Sequence, residues 1–181
     1  AMKHAMGARK ELGVKTIFNM LGPLTNPAGA RRQVLGVFDR ELTEMFASVL
    51  KLLGSERAFV VHGMDGMDEI TTTAKSRVSE LRDGEISTYD FDPLDFVEEY
   101  ASVESLAGGY PEENAGIVRN VISGEKGPRR EIVCLNAAAA IVAGEKAEDL
   151  KEGWSLAEES IDKGLAAGVL ERLIEITSSV E

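Results

Sequence analysis

The chain has 181 residues, 44% of them hydrophobic, with 20 Lys and Arg against 31 Asp and Glu and a formal net charge of −11. That is enough apolar content for one domain with its own core. The acidic balance argues against a nucleic-acid partner, because the basic pairs Arg31-Arg32 and Arg129-Arg130 are short and far apart.

Residues 2–12 suit a helix that ends at Gly13. Residues 16–21 form a short apolar run, interrupted by Gly22-Pro23 and Asn26-Pro27; two prolines so close predict a fixed loop. VLGVF (34–38) predicts a buried strand. Leu42, Met45, Phe46, Val49, Leu50 and Leu53 then recur at helical spacing up to Gly54. AFVV (58–61) predicts a second buried strand, and strand, helix, strand implies a parallel pair covered by helices. Asp83-Gly84 predicts the turn of a hairpin between 77–81 and 85–89, an antiparallel addition to the sheet. Pro111 opens a helix to about residue 122. The alanine-rich stretch 135–143 predicts a closely packed helix. Residues 149–180 read as helical, with Trp154, Ala157, Ile161, Leu170, Leu173 and Ile174 as buried positions and Gly164 or Gly168 as breaks. Residues 92–109 carry no clear pattern. The expected class is therefore α/β, a mostly parallel sheet with an antiparallel addition, flanked by helices, in a single domain over 1–181.

No apolar run reaches the length of about 18–20 residues needed to span a membrane, and the first residues lack the core of a signal peptide. Cys134 is the sole cysteine, which excludes an internal disulfide and a thiolate zinc cluster. Together these features point to the cytoplasm, with no membrane partner. The chain starts at Ala1, so either one residue has been added before Met2 or the chain begins inside a longer protein.

Three segments carry possible chemistry. HGMDGMDE (62–69) follows the AFVV strand, where ligands bind beyond the carboxyl ends of parallel strands. Its carboxylates Asp65, Asp68 and Glu69 are hard oxygen donors of the kind Mg²⁺ shares with substrate phosphates. The same residues also suit an acidic, solvated turn. The segment TIFNMLGPLTNP (16–27) suits either the wall of a pocket for a flat ligand or a demanding connection with no ligand. Arg9 is either a carboxylate clamp or a surface ion-pair partner. His4 and His62 read as structural histidines, Cys134 as a small buried hydrophobe, and Asn136 as a residue bonded to backbone.

Four blocks of the sequence strongly resemble the anthranilate phosphoribosyltransferase family. They are AMKHAMGARKELGVKTIFNMLGPLTNPA (1–28), VVHGMDGMDEI (60–70), VSELRDGEISTY (78–89) and LNAAAAIVAGEKAEDLKEGWSLAEESIDKG (135–164). They occur in the family's order, and the first is the most specific. The resemblance implies a truncated fold of the nucleoside phosphorylase/phosphoribosyltransferase type. It also implies transfer of phosphoribose from phosphoribosyl pyrophosphate to anthranilate, a step of tryptophan biosynthesis. In the family's terms Asp68 and Glu69 match the carboxylates that hold Mg²⁺. Arg9 matches the arginine that binds the anthranilate carboxylate, and Met2, Gly22 and Pro23 match walls of the anthranilate channel. No catalytic residue is assigned. The family's GTGGD-type loop, KHGNR-type segment and helical domain, through which the complete enzyme dimerises, all precede the first block. The chain is thus expected to be the carboxy-terminal portion of a two-domain enzyme, inactive until an amino-terminal half or a complementing chain joins it. The alternative is a non-catalytic small-molecule or Mg-binding module derived from the same family.

Overall fold

The computed structural model describes residues 17–179. The helix expected over 2–12 lies outside these residues. The elements run α1 (Ile17–Leu24), β1 (Arg32–Gly36), α2 (Leu42–Leu52), β2 (Arg57–Gly63), β3 (Ser76–Arg82), β4 (Glu85–Phe91), α3 (Val103–Leu106), α4 (Pro111–Ile122), α5 (Pro128–Ala143), α6 (Leu150–Asp162) and α7 (Leu165–Ser178).

The sheet has the order β1-β2-β3-β4. β1 and β2 are parallel, as strand–helix–strand patterning predicts. β2–β3 and β3–β4 are antiparallel, so the parallel share is one ladder of three, smaller than expected. The Asp83-Gly84 turn takes positive φ at both residues (52° and 77°), the geometry that matches the twist of a two-residue hairpin.

Every residue of β2 is buried because the sheet is covered on both faces. Ala58 and Val60 point to one face, where Phe46, Ala47 and Leu50 of α2 close a cluster with Leu35 and Leu81. Phe59 and Val61 point to the other, against Leu135, Ala139 and Val142 of α5. A third cluster joins α4, α5 and α6 through Val121, Cys134, Ala157 and Ile161. The alanine-rich face of α5 permits the close approach foreseen from its small side chains. A Cβ placed on Gly153 of α6 would lie 2.8 Å from the Ala138 carbonyl oxygen.

Three expectations are corrected. Residues 17–24 form a helix that includes Pro23, where a fixed loop was expected. Pro23 sits in the last turn of this short helix, and the Thr25 hydroxyl takes up the Leu21 carbonyl at 3.0 Å. The second proline does lie in a turn, closed by the Ala28 N–H donating to Asn26 Oδ1 at 2.9 Å. α5 begins at Pro128, seven residues before the expected 135, because Pro128 takes the first helical position and the polar turn after it hides the periodicity. In the tail the break falls at Gly164, in a left-handed conformation, while Gly168 is helical. Ala157 and Ile161 are buried, but Leu173 and Ile174 are exposed and α7 buries no residue. A helical stripe records amphipathicity; burial also needs a covering element, and the described residues provide none there.

Candidate functional site: an acidic turn beyond β2

The turn after β2 is built by backbone hydrogen bonds and by side chains that brace them. The N–H of Gly63 donates to Met67 O, that of Met64 to Lys75 O, and that of Gly66 to Gly63 O, each at 2.8 Å. Asp65 acts as the internal brace. Its Oδ1 accepts the Met67 N–H at 3.0 Å, and its Oδ2 accepts the hydroxyls of Thr71 (2.6 Å) and Thr73. The Thr71 N–H in turn donates to Ser76 Oγ at 3.0 Å. Burial by itself would raise the Asp65 carboxyl, but the two threonine hydroxyls and the Met67 N–H outweigh it and hold the group below its ordinary value. Asp65 therefore serves the loop, and two of the three carboxylates remain for a ligand.

A carboxylate held below its ordinary value stabilises the fold above about pH 4, and that contribution is lost as pH falls through the lowered value. Acid titration should therefore loosen this turn in the wild type. Asp65→Asn should already be looser at neutral pH and show a smaller loss of stability between pH 5 and pH 3, values set by the ordinary range of about 3.9. Urea unfolding at a series of pH values checks this.

Asp68 and Glu69 are exposed, and neither carboxylate has a hydrogen-bond or ion-pair partner among the described residues. Partial burial, then the charges of Asp68 and Asp65, push the Glu69 carboxyl above its ordinary value. Uncompensated like charges beside one another favour a divalent cation. No three His, Cys, Asp or Glu side chains converge as a ligand set among the described residues. The pair thus fits a Mg²⁺ shared with ligand phosphates, and not a closed protein cage.

Two contacts fix the height of the pair. Gly36, the last residue of β1, lies so close under the turn that a Cβ there would fall 1.6 Å from the Asp68 carbonyl oxygen. On the other side, Asn136 of α5 clamps Ile70, the residue after Glu69. Its Oδ1 accepts the Ile70 N–H at 3.0 Å, and its Nδ2 donates to Ile70 O at 2.8 Å and Ile132 O at 3.0 Å. The sequence marked Asn136 as a residue bonded to backbone but could not name the partner, which lies 66 residues away. Asn136→Ala should cost about 2–4 kcal/mol, since it leaves the buried Ile70 N–H and C=O unsatisfied. Urea unfolding measures that loss, and a value near zero would remove Asn136 from this role.

Glu69 also lines a groove of about 370 Å³ whose other walls include Leu106, Ile117, Val118 and Ile132. Gly22 and Pro23 are exposed on α1 and are not among the residues lining that groove. Met2 and Arg9 lie outside the described residues. His62 and Cys134, read from the sequence as structural, are both committed to the fold. His62 is buried, and its Nδ1 donates to the Val37 carbonyl at 2.7 Å. Burial pushes the Cys134 thiol up to about 11, so it stays protonated.

The sequence profile of the glycosyl transferase family, a/b domain, matches residues 1–167. The chain belongs to this glycosyl transferase family. The anthranilate phosphoribosyltransferase of Desulfosudis oleivorans is 62% identical over 99% of this chain and 53% of its own length. That of Acetivibrio thermocellus is 56% identical over 99% of this chain and 52% of its own length. The glycosyl transferase fold is shared with the crystal structure of the Thermus thermophilus anthranilate phosphoribosyltransferase. That structure superposes with a TM-score of 0.88 at 44% identity, covering 96% of this chain and 51% of the other. The Saccharomyces cerevisiae enzyme, in complex with PRPP and Mg, gives a TM-score of 0.88 at 34% identity, covering 99% of this chain and 52% of the other. The chain spans about half the length of the curated relatives it matches.

Proposed function

We propose that the chain is the carboxy-terminal α/β portion of an anthranilate phosphoribosyltransferase, a cytoplasmic two-domain enzyme of tryptophan biosynthesis. Its part is to hold the Mg²⁺ bound to phosphoribosyl pyrophosphate and to orient anthranilate. The observation that carries this reading is the Asp68–Glu69 pair, without a partner among the described residues and fixed between Gly36 and Asn136 at the carboxyl end of β2. The relatives bearing that name, one of them in complex with PRPP and Mg, supply the substrate class.

Loss of pyrophosphate from ribose C1 leaves positive charge on the sugar and negative charge on the leaving group. Mg²⁺, when bound, neutralises the leaving group. Asp68 and Glu69 would hold that ion, and the clamps on either side keep the two carboxylates from moving as charge develops. The acceptor is an aryl amine, already a neutral nucleophile, so it needs orientation next to C1 and no covalent intermediate. Arg9 would supply orientation through two parallel hydrogen bonds to the ortho carboxylate, with Met2, Gly22 and Pro23 flanking the approach.

The donor's pyrophosphate carries more negative charge than a single metal site neutralises, and the family's GTGGD-type and KHGNR-type segments are absent from this sequence. Alone, the 181-residue chain should therefore consume anthranilate at least about 1,000-fold more slowly than a complete enzyme. Mixing it with a polypeptide bearing the amino-terminal half of a relative should restore consumption, followed by anthranilate fluorescence. Mg²⁺ binding without restored turnover would instead favour a non-catalytic module.

A further inference from the structure

Arg57 opens β2, at the end of the strand away from the acidic turn, and is only 6% exposed. Its Nε and Nη2 are buried and have no hydrogen-bond partner among the described residues. Glu80 Oε1 lies 3.6 Å from Nη2, close enough for charge attraction but too long for a hydrogen bond. A buried guanidinium with two idle donors is costly, and such groups call for an explanation. Nε and Nη2 together form one edge of the guanidinium, the edge that matches the two oxygens of a carboxylate.

Arg57 and Glu80 both line a cavity of about 320 Å³. Phe59, Phe96 and Leu150 give it an apolar floor. Its charges balance: Arg57, Arg82 and Lys151 face Glu80, Glu148 and Asp149. Of these carboxylates, Asp149 is taken by the Glu152 N–H at 2.9 Å, and Glu80 accepts the Tyr89 hydroxyl at 3.3 Å. The Glu148 carboxylate has no partner among the described residues.

We propose that this cavity binds a small zwitterion with an apolar body, an α-amino acid with a hydrophobic side chain. Its carboxylate takes the Nε–Nη2 edge of Arg57, its ammonium meets Glu80 and Glu148, and its side chain lies over Phe96 and Leu150. Glu80, beside Nη2 in the free protein, turns toward the ammonium on binding. A simple anion would gain Arg57 but face Glu80 uncompensated, and a simple cation would leave the guanidinium edge unmade. The site is separate from the acidic turn and independent of its chemistry.

Titration of the 181-residue chain with L-phenylalanine, followed by amide NMR shifts, tests this. Saturable shifts should appear at the start of β2 and the start of α6. Phenethylamine, which lacks the carboxylate, and 3-phenylpropionate, which lacks the ammonium, should each bind at least about tenfold more weakly. Arg57→Lys keeps the charge but loses the fork, and Glu80→Gln loses the ammonium partner; each should weaken L-phenylalanine by a similar factor. Should Arg57→Lys fail to fold, the analogue series on the unaltered chain decides alone. Absence of saturable binding, equal affinity for all three compounds, or shifts confined to the acidic turn would overturn the proposal.

Discussion

Gly36→Ala should destabilise the chain by about 3 kcal/mol or more and abolish metal binding at the acidic turn. The added methyl would sit 1.6 Å from the Asp68 carbonyl oxygen and 2.5 Å from its carbonyl carbon. Both obstacles are backbone, so no rotamer change relieves them. Restoring ordinary contact requires β1 and the turn to part by roughly 1.5 Å, comparable with the looseness that disables a designed site. β1 is hydrogen-bonded to β2 throughout, and Asn136 holds the turn from the other side, so neither moves freely. Gly22→Ala is the matched control for stability and metal affinity, because a methyl there meets nothing within 4 Å among the described residues. Urea unfolding and Mn²⁺ titration, with Mn²⁺ standing in for Mg²⁺, read both effects. Wild-type stability and metal affinity in Gly36→Ala would contradict the placement of the turn.

Asp68→Asn with Glu69→Gln should lower Mn²⁺ affinity at least about 100-fold and remove activity from a complemented enzyme. The same pair should leave the fold as stable as before, or more stable by roughly 0.5 kcal/mol. The sign follows from Glu69. Its carboxyl is pushed above its ordinary value, so ionisation of Glu69 opposes folding, and a neutral glutamine relieves that opposition. A structural acidic turn behaves in the reverse way, as Asp65 does, where loss of the charge also loses hydrogen bonds to Thr71 and Met67. Affinity falling while stability holds is thus the signature of a binding pair. A joint fall in both would return Asp68 and Glu69 to a structural role.

The local elements were legible because each rests on neighbouring residues. Period 3.6 marked α2, the apolar runs marked β1 and β2, and Asp83-Gly84 marked the hairpin, since positive φ is cheap for that pair. Pro23 misled because its missing N–H and its ring stop a helix without preventing the turns before it, and α1 ends at Leu24, one residue on. The burial of α7 was overestimated for a different reason: Leu173 and Ile174 have the spacing of a buried stripe, but nothing among the described residues covers them.

By itself, the sequence determined the strand–helix–strand unit, the position of the acidic turn beyond β2 and, through the four motif blocks, the family. Spacing alone did not distinguish Asp65 from Asp68 and Glu69, because three carboxylates within five residues look alike until their partners are in place; only the resemblance singled out the latter pair. Tertiary structure supplies the physical basis of that division: the hydroxyls of Thr71 and Thr73 reach Asp65, while Gly36 and Asn136 grip only the backbone around the other two. The physical reason is separation along the chain. Hydrogen bonds and close contacts that assign a side chain its role come from strands and helices tens of residues away, and only folding brings them within reach.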